Sequence, residues 1–495
     1  MKNTLINFKS LLLATCMMLT VQSSNAQIQK GADIDGEAAG DFSGYSVSMP
    51  DANTLAIGAY ANNGNGTYAG HVRVYNWSGN AWVKKGVDID GEAADDLSGY
   101  LVSMPDANTL AIGAINNEGT AAYAGHVRVY NWSGTAWVKK GADIDAEATS
   151  DRSGYSVSMP DANTLAIGAI NNEGNGVLAG HVRVYNWSGT AWVKKGADID
   201  GEYTDNSGYS VSMPDANTLA IGAPFNNGNG AYAGHVRVYN WSGTAWVKKG
   251  ADIDGEAAGD LSGWSVSMPD ANTLAIGARA NNGNGTSAGH VRVYNWSGTA
   301  WVKKGANIDG EAAGDLSGFS VSMPDANTLA IGAINNNGNG TSAGHVRIYN
   351  WSGTAWVKKG ADIDGEAAGD QSGQSVSMPD ANTLAIGAYE NNGNGTSAGH
   401  VRVYSISSLD VLENSVGNTL EIYPNPAKSV INVKTADTKL LGMAYSIYDN
   451  AGKVVLSGKI TSENTSIELG NLAAGIYMLS IAENMSQTFK VIKRL

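Results

Sequence analysis

The feature that most constrains the fold of this chain is a sequence repeated seven times. The run Ser-Met-Pro-Asp-Ala-Asn-Thr-Leu-Ala-Ile-Gly-Ala recurs with its methionine at Met49, Met104, Met159, Met213, Met268, Met323 and Met378. Successive methionines lie 55 residues apart, except for one interval of 54. A fixed period indicates one structural unit per copy, and this period exceeds that of a solenoid coil. It fits one four-stranded blade of a β-propeller.

Each copy contains four segments of strand character separated by turn residues. In the first copy they are residues 44–49, 54–59, 70–77 and 81–85. The turn residues Pro, Asp and Asn separate the first two, and Trp-Ser-Gly precedes the last. Two lysines on the fourth strand, Lys84 and Lys85, are typical of an outermost strand protected against edge-to-edge pairing.

The two ends of the repeat array complement each other. Copy seven stops at Tyr404 and lacks the Trp-Val-Lys-Lys strand, while residues 28–33 near the N-terminus match that missing piece in character. An open solenoid needs capping repeats rather than such an exchange. We therefore expect an all-β fold: a seven-bladed β-propeller of four-stranded blades over residues 27–404, closed by the N-terminal strand and followed by a small β-sandwich.

Three motifs of each copy resemble the FG-GAP repeats of integrin-type propellers. In copy one they are Ser43-Gly44-Tyr45-Ser46-Val47, Leu55-Ala56-Ile57-Gly58-Ala59 and Gly70-His71-Val72-Arg73-Val74-Tyr75. Copy four also has Gly222-Ala223-Pro224. The resemblance implies a propeller with a partner-binding surface near the mouth of its central channel. The family often has an Asp-rich calcium loop between the first two strands, and here only Pro-Asp-Ala-Asn stands there.

The first 26 residues have the pattern of an export signal. Lys2 and Lys9 give a basic start, residues 11–21 are apolar, and Ser24-Asn25-Ala26 fits a cleavage site. The single cysteine, Cys16, lies inside this segment, and a lipoprotein anchor at that residue is the alternative. No later segment is long and apolar enough to predict a transmembrane span.

The repeat pattern ends at Tyr404, and residues 405–418 are predicted to be a linker. The motifs Tyr423-Pro424-Asn425-Pro426-Ala427, Gly475-Ile476-Tyr477-Met478-Leu479 and Lys490-Val491-Ile492-Lys493 resemble the C-terminal sorting domain of the type nine secretion system. The resemblance covers residues 419–495. It implies a bacterium of the Bacteroidota kind, recognition by the secretion machinery, export across the outer membrane, and removal of this domain with attachment to the cell surface. An ordinary small sandwich is the alternative.

The formal net charge of −14 excludes some partners. Nucleic-acid binding needs clustered Lys and Arg, which this chain lacks. Acidic loops are instead compatible with bound cations or with solubility.

The links that join one blade to the next are acidic. Four carboxylates within nine residues recur with minor changes, and oxygen ligands of this kind suit calcium, the only cofactor that the sequence suggests. The candidate ligands in the links before blades 1 and 5 are Asp33, Asp35, Glu37, Asp41, Asp252, Asp254, Glu256 and Asp260. The alternative is turn chemistry, in which the carboxylates cap backbone amides.

The copies differ most at the start of the inner strand and just after Gly-Ala. At the first of these places six of seven residues are aromatic: Tyr45, Tyr100, Tyr155, Tyr209, Trp264 and Phe319, with Gln374 as the seventh. Rings at the mouth of the channel could stack on a sugar or hold a cationic side chain. The alternative is that they pack between neighbouring blades. The histidine in each blade is predicted to be structural, because seven copies in separate blades cannot converge on one ion.

Enzymes place a few unlike groups in one asymmetric site, whereas nearly every polar residue here has six equivalents. The sequence therefore favours a non-catalytic binding or adhesion propeller on the cell surface. It would bind a surface glycan or an extracellular protein through its upper loop face, the side that carries the acidic links and the Asn/Gly loops. The alternatives are a carbohydrate-binding accessory protein for polysaccharide use and a structural surface-coat component.

Overall fold

The computed structural model describes residues 25–119, 121–408, 420–435, 440–449, 453–481 and 487–494. The predicted signal peptide, residues 1–26, lies almost entirely outside these residues. The chain divides into two compact units. The first contains residues 26–407, and the second contains the described residues after them. No α-helix occurs in the described ranges.

The first unit is a ring of seven antiparallel sheets, which confirms the predicted seven-bladed β-propeller. The inner strands are Ser46–Asp51, Ser98–Asp106, Ser153–Asp161, Ser210–Asp215, Ser262–Asp270, Ser320–Asp325 and Ser375–Asp380. The second strands are Thr54–Ala59, Thr109–Ala114, Thr164–Ala169, Thr218–Ala223, Thr273–Ala278, Thr328–Ala333 and Thr383–Ala388. The third strands are His71–Trp77, His126–Trp132, His181–Trp187, His235–Trp241, His290–Trp296, His345–Trp351 and His400–Ser408.

The outer part of each blade consists of two short pieces that both pair with the third strand. The fourth strands of blades 1 to 6 are Trp82–Lys84, Trp137–Lys139, Trp192–Lys194, Trp246–Lys248, Trp301–Lys303 and Trp356–Lys358. A two-residue edge strand follows each of them: Ile89–Asp90, Ile144–Asp145, Ile199–Asp200, Ile253–Asp254, Ile308–Asp309 and Ile363–Asp364. The edge strand places part of each acidic link beside the histidine that starts the third strand.

Blade 7 is completed by the N-terminal segment, as the sequence predicts. Asn25–Gln29 is its fourth strand and Ile34–Asp35 its edge strand. The inner ring closes at the same place, because the Met49 N–H donates to Ser377 Oγ (2.9 Å) just as the Met104 N–H donates to Ser48 Oγ (3.0 Å).

The third strand of blade 7 extends beyond the predicted boundary at Tyr404 and ends at Ser408. Ser405 pairs with Thr383, and Ile406 is fully buried. The Ile406 N–H donates to the Asn382 carbonyl, which is the bond that Trp77 makes to Asn53 in blade 1. The blade therefore needs these residues as part of its third strand, and four residues assigned to the linker belong to the propeller.

The hydrophobic core lies between blades rather than at one centre. Between blades 1 and 2, Val72 and Val74 pack with Leu110 and Ile112 of the next blade. The equivalent cluster at the seam joins Leu55 and Ile57 of blade 1 to Val401 and Val403 of blade 7. Each blade thus buries its apolar faces against two neighbours, which explains why the second strands are buried along their whole length.

At six of the seven junctions between blades, a lysine of one blade lies over two tryptophans of the next. Between blades 6 and 7, Lys359 instead donates to the Ala381 carbonyl (3.1 Å), and blade 7 has no tryptophan at the equivalent positions.

Lys85 directly follows the fourth strand of blade 1. It donates to the Ala107 carbonyl and to Asn108 Oδ1, in the turn between the first two strands of blade 2. Its ammonium lies 5.2–5.3 Å from the ring centroids of Trp132 and Trp137. Trp137 Nε1 donates to the Lys85 carbonyl (2.9 Å).

The same fastening occurs at the seam, where Lys30 takes the place of Lys85. Its ammonium donates to Asn53 Oδ1 (3.1 Å) and lies over Trp77 and Trp82. Trp82 Nε1 donates to the Lys30 carbonyl (2.8 Å). The N-terminal segment therefore keeps the Lys30 contacts of an ordinary fourth strand, while Gln27 and Gln29 stand where the other blades have a tryptophan and a lysine.

The C-terminal unit has two antiparallel sheets. One contains Leu420–Tyr423, Val430–Thr435 and Asn464–Glu468 in that order, and the other contains Val454–Lys459, Ala444–Tyr448, Gly475–Ile481 and Gln487–Lys493 in that order. Buried residues from both sheets, including Ile431, Val433, Ile447 and Leu479, form one core. This arrangement confirms the predicted small β-sheet domain at the C-terminus.

Removal of the closing strand tests the importance of the seam. A chain that begins at residue 32 loses the fourth strand of blade 7 and the Lys30 contacts, and it exposes the edge of His400–Ser408. We expect its midpoint of thermal unfolding to fall by several degrees and the protein to self-associate, relative to a chain beginning at residue 27. Circular dichroism melting and sedimentation velocity measure the two effects. Equal melting temperatures for the two chains would contradict a closing role for this strand.

Candidate functional site

Two kinds of loop share one side of the propeller, which we call the upper face. In blade 1 they are the Asn/Gly loop, residues 60–70, and the link to blade 2, residues 86–97. The Gly91 N–H donates to the Gly70 carbonyl (2.7 Å), and Asn65 Nδ2 donates to the Gly91 carbonyl (2.7 Å). Loop and link are therefore joined by direct hydrogen bonds, and their side chains are held by a fixed backbone.

The last carboxylate of each link stabilises the link itself. Asp41 is 1% exposed, and its Oδ2 accepts hydrogen bonds from the backbone N–H groups of Glu37 (3.1 Å) and Ala38 (2.9 Å). Asp260 accepts the equivalent bonds from Glu256 and Ala257. These two candidate calcium ligands thus cap backbone amides, which was the alternative raised from the sequence.

The other three carboxylates of the first link point to different neighbours. Asp33 accepts from Gln29 Nε2 (2.6 Å), and Asp35 lies against the backbone of Gly393 in blade 7. Glu37 lies 3.7 Å from the Arg73 guanidinium in blade 1. The four carboxylates of one link therefore do not surround a common point.

The link before blade 5 shows the same divergence. Asp252 is paired with Lys248 (2.8 Å), and Asp254 faces Gly228 in the loop of blade 4. Glu256 accepts from Asn307 Nδ2 (2.8 Å), a residue of the following link. In neither of the two links do the four predicted ligands converge on one point, and calcium binding there remains a prediction.

The histidines, predicted from the sequence to be structural, form compact clusters with two carboxylates in five of the seven blades. Each histidine is almost completely buried, and its Nε2 has no hydrogen-bond partner in the described chain. Around His71, the carboxylates Glu37 and Asp88 come from two consecutive links, and the three ligand atoms lie within 4.8 Å of one another. This approach of carboxylates to the histidines was not predicted, because the histidines were considered as ligands of one shared ion. The sequence feature that could have indicated it is the Ile-Asp pair of each link. In blade 1 this pair, Ile89–Asp90, lies beside the third strand and so brings Asp88 close to His71.

Burial also determines the charge of these histidines. Burial, with the neighbouring Arg73 guanidinium as the second cause, lowers the pKa of His71 to about 4. The pKa values of His126, His235 and His345 are lowered to about 4 for the same two reasons, with Arg128, Arg237 and Arg347 as the respective neighbours. These imidazoles are therefore neutral at pH 7.

The six predicted aromatic residues lie together at the upper end of the central channel. Neighbouring rings contact one another around the ring of blades, with centroid separations of 4.4–5.7 Å from Tyr45 to Phe319. The Tyr45 and Tyr100 hydroxyls are hydrogen-bonded (3.0 Å), and burial raises the pKa of both well above the usual value. The inner-strand residues below them line a cavity of about 240 Å³. The rings thus pack against each other and leave only part of their surface at the mouth.

One cation breaks the symmetry of this mouth. Arg279, which follows Gly-Ala in blade 5, has its guanidinium 3.5 Å from the Trp264 ring centroid and 5.8 Å from that of Phe319. On the opposite side, Tyr60 and Tyr389 contact Tyr45. The mouth therefore has an aromatic half and a half that contains a guanidinium stacked on indole.

A second aromatic group on the upper face escaped the sequence analysis. The residue before Ala-Gly-His in each Asn/Gly loop is apolar in blades 1 to 4 and serine in blades 5 to 7: Tyr68, Tyr123, Leu178, Tyr232, Ser287, Ser342 and Ser397. The four apolar side chains are 38–54% exposed. We call them the loop arc. The change from apolar residues to serine along the repeats was visible in the sequence, but exposure could be assigned only from the fold.

Comparison with known proteins bears first on the C-terminal unit. Residues 421–494 match the family model of the secretion system C-terminal sorting domain. The C-terminal unit is a type IX sorting domain. This domain indicates secretion across the outer membrane and attachment to the cell surface. It also implies an interaction with the secretion machinery.

Other similarities cover the chain unevenly. Beta-agarase A of Zobellia galactanivorans is 37% identical over 70 residues, which is 14% of this chain and 13% of that protein. A structure of PorZ, a surface component of the type-IX secretion system of Porphyromonas gingivalis, aligns over 92% of this chain and 60% of its own with 12% identity and a TM-score of 0.42. The GH74 xyloglucanase of Xanthomonas campestris aligns over 83% and 59%, with 12% identity and a TM-score of 0.43.

Within the described residues, no helix has the length and apolar character needed to cross a bilayer.

The buried histidines predict that the protein loses stability in mild acid. Unfolded histidine takes up a proton below about pH 6.5, whereas folded His71, His126, His235 and His345 stay neutral down to about pH 4. The unfolded state then binds more protons, so the free energy of unfolding decreases as pH falls through this window. The slope is about 1.4 kcal/mol per pH unit for each such histidine.

Urea unfolding followed by tryptophan fluorescence, with EDTA present, measures this slope. The range from about pH 6.5 down to about pH 5 lies above the usual carboxylate titrations. A variant with His71→Asn and His126→Asn should show a shallower dependence than the unmodified protein. A free energy that stays constant over this range would contradict neutral buried histidines.

Proposed function

We propose that the propeller is a non-catalytic binding module that the sorting domain places on the cell surface, and that it binds an extracellular ligand through its upper face. The observation that carries this proposal is the loop arc. Four exposed apolar side chains occupy equivalent positions in four consecutive blades, and three of the four are tyrosines that are about half exposed. Large exposed apolar side chains at equivalent positions of neighbouring blades are suited to contact with a partner.

The backbone of the loop arc supports this proposal. Tyr68, Tyr123 and Tyr232 have positive φ values of 53–55°, a conformation that costs a residue with a side chain about 1 kcal/mol or more. The Tyr68 and Tyr232 N–H groups donate to asparagine Oδ1 atoms of the same loops, at 2.8 and 2.9 Å. The rings are thus held outward by a hydrogen-bonded turn, which reduces the entropy lost when a ligand binds.

Repetition favours binding rather than catalysis. The third-strand histidines and arginines recur in all seven blades, and the link carboxylates recur with one replacement, Asn307. Such near-identity of the copies favours repeated binding sites over one asymmetric catalytic site. Repeated weak sites on one rigid ring raise the overall affinity for a repetitive ligand through multivalency. We infer that the ligand is a surface glycan or a matrix protein with many equivalent binding points.

A carbohydrate is the more specific form of this proposal. The tyrosines of the loop arc present flat rings, and the same loops contain exposed asparagines such as Asn63 and Asn65 beside them. Rings that stack on sugar faces next to amides that bond hydroxyl groups suit a polysaccharide. A protein ligand would use the same rings without needing the amides. The FG-GAP affiliation inferred from the sequence remains a prediction and fits either ligand.

Substitutions copied from the other blades test this role with little risk to folding. A triple variant with Tyr68→Ser, Tyr123→Ser and Tyr232→Ser reproduces the residues of blades 5 to 7. Three rings that contribute about 0.5–1 kcal/mol each correspond to a loss of about tenfold or more in affinity. Binding of the full-length secreted protein is measured on arrays of polysaccharides and matrix proteins, in calcium and again in EDTA.

The matched control removes a similar apolar area from another surface. Val83, Val138 and Val193 on the outer strands are each 53% exposed, so their triple substitution by serine should leave binding unchanged. Loss of binding in both triple variants would indicate a general effect rather than a role of the loop arc. A blank array with folded protein would overturn ligand binding for these classes and favour a structural coat component.

A further inference from the structure

Five of the seven histidines form a compact cluster with two carboxylates, and one of these five clusters differs from the others in its surroundings. It contains Asp33 from the link before blade 1, Glu366 from the link before blade 7, and His400 from the third strand of blade 7. Each residue offers a ligand atom, and these atoms lie within 4.8 Å of one another. We call this group the seam cluster, because Asp33 belongs to the N-terminal segment that closes the ring.

The distances within the seam cluster leave room for an atom between its members. His400 Nδ1 lies 3.9 Å from Asp33 Oδ2 and 3.8 Å from Glu366 Oε2, and both distances are too long for hydrogen bonds. Two ligands of a tetrahedral zinc ion with bonds of about 2.0 Å stand about 3.3 Å apart. The two distances from the imidazole to the carboxylates are therefore only about half an ångström longer than such an ion requires.

The imidazole is buried, without a hydrogen bond, and directed at the carboxylates. The His400 side chain is 1% exposed and makes no hydrogen bond within the described part of the chain. Asp33 and Glu366 are 30% and 44% exposed, so an ion can reach the cluster from solvent. A histidine ligand that is nine-tenths buried below two accessible carboxylates is suitable for holding a metal, because the ring is already fixed in place.

A third carboxylate is buried in the same link as Glu366. Asp370 is 1% exposed and its Oδ1 has no partner in the described chain. The Asp370 charge acts on the His400 imidazole at longer range and adds to the negative potential around the cluster, which favours a cation there.

The seam cluster differs from its counterparts in having no lysine beside its carboxylates in the described part of the chain. Asp33 Oδ1 accepts from the neutral Gln29 amide (2.6 Å). Among the described residues, Arg402 is the one cation paired with the cluster, 3.7 Å from Glu366 Oε1. Asp33 Oδ2 and Glu366 Oε2 therefore face the imidazole without a positive partner between them.

In the other six blades a lysine occupies the position of Gln29. These residues are Lys84, Lys139, Lys194, Lys248, Lys303 and Lys358. Lys84, for example, lies 2.8 Å from Asp88 and 3.8 Å from Glu37. In blade 5 the first aspartate is also replaced, and Asn307 donates directly to Glu256. A resident ammonium or amide thus occupies the carboxylates of the other clusters.

We propose that the seam cluster binds one divalent transition-metal cation of the zinc type through His400 Nδ1, Asp33 Oδ2 and Glu366 Oε2, with water as the remaining ligand. One imidazole and two carboxylates suit such an ion better than calcium, which prefers oxygen ligands alone. The bound ion would join the N-terminal segment to blade 7 and so stabilise the closed ring. This proposal is independent of the ligand proposed for the loop arc.

Calorimetric titration of the full-length secreted protein with zinc at neutral pH tests the site. We expect one zinc per chain, and substitution of Asp33→Asn or Glu366→Gln should weaken binding by about tenfold or more. The matched controls are Asp88→Asn and Glu37→Gln in blade 1, which should leave the affinity unchanged. Circular dichroism of each metal-free variant verifies that it is folded, and zinc should raise the melting temperature of the unmodified protein but not of Asp33→Asn.

Exchange of the neighbouring residue between blades gives a second, reciprocal test. Gln29→Lys should abolish zinc binding at the seam, and Lys84→Gln should raise the stoichiometry to two by freeing the cluster of blade 1. Cobalt in place of zinc reports nitrogen coordination through its visible absorption. Absence of binding, a single site unaffected by Asp33→Asn, or six or seven equal sites in the unmodified protein would each overturn the proposal.

Discussion

The structure depends on one strand exchange, in which the start of the propeller supplies the outer part of its last blade. No blade has a core of its own, because apolar residues of each sheet are buried only against the neighbouring sheets. A ring with an open gap would leave two such faces in water. The contacts of Lys30 with Asn53, Trp77 and Trp82 close that gap with the same groups that join blades 1 to 6 to one another. Closure is therefore a condition for the stability of every blade rather than a local feature of one.

The repeated fastening between blades explains why the lower side of the propeller varies so little. Lys85 is partly withdrawn from water, and burial lowers its pKa, yet its ammonium bonds a carbonyl and an asparagine and lies over two indoles. Every group in this arrangement, including Trp132 and Trp137, contacts another of its members, so a change in one affects the others. The upper face has fewer such constraints, because its loops are tied through backbone groups. Side chains such as Tyr68 can therefore change there without loss of the fold.

Much of the fold could be predicted from the sequence, and the site only in part. The period of the repeat and the missing strand at Tyr404 were enough for the blade count and the closure, because both depend on local strand patterns. The direction of individual side chains was not predictable in the same way. Asp33 and Glu37 are four residues apart in one link, yet they serve histidines in blades 7 and 1, since the edge strand between them reverses the faces of the chain. Contacts between links of different blades arise only after the ring is assembled.

Sevenfold repetition also determines where function can arise in such a protein. A residue that is identical in all copies serves the blade, and a property of the whole molecule needs a position where one copy departs from the rest. Gln29 is such a position, because the strand exchange replaces a lysine by an uncharged amide and leaves Asp33 and Glu366 beside His400 without an ammonium. Arg279 at the channel mouth and the tyrosines of the loop arc are others. The symmetry of the repeats thus supplies the scaffold, and the departures from it mark the surfaces available for recognition.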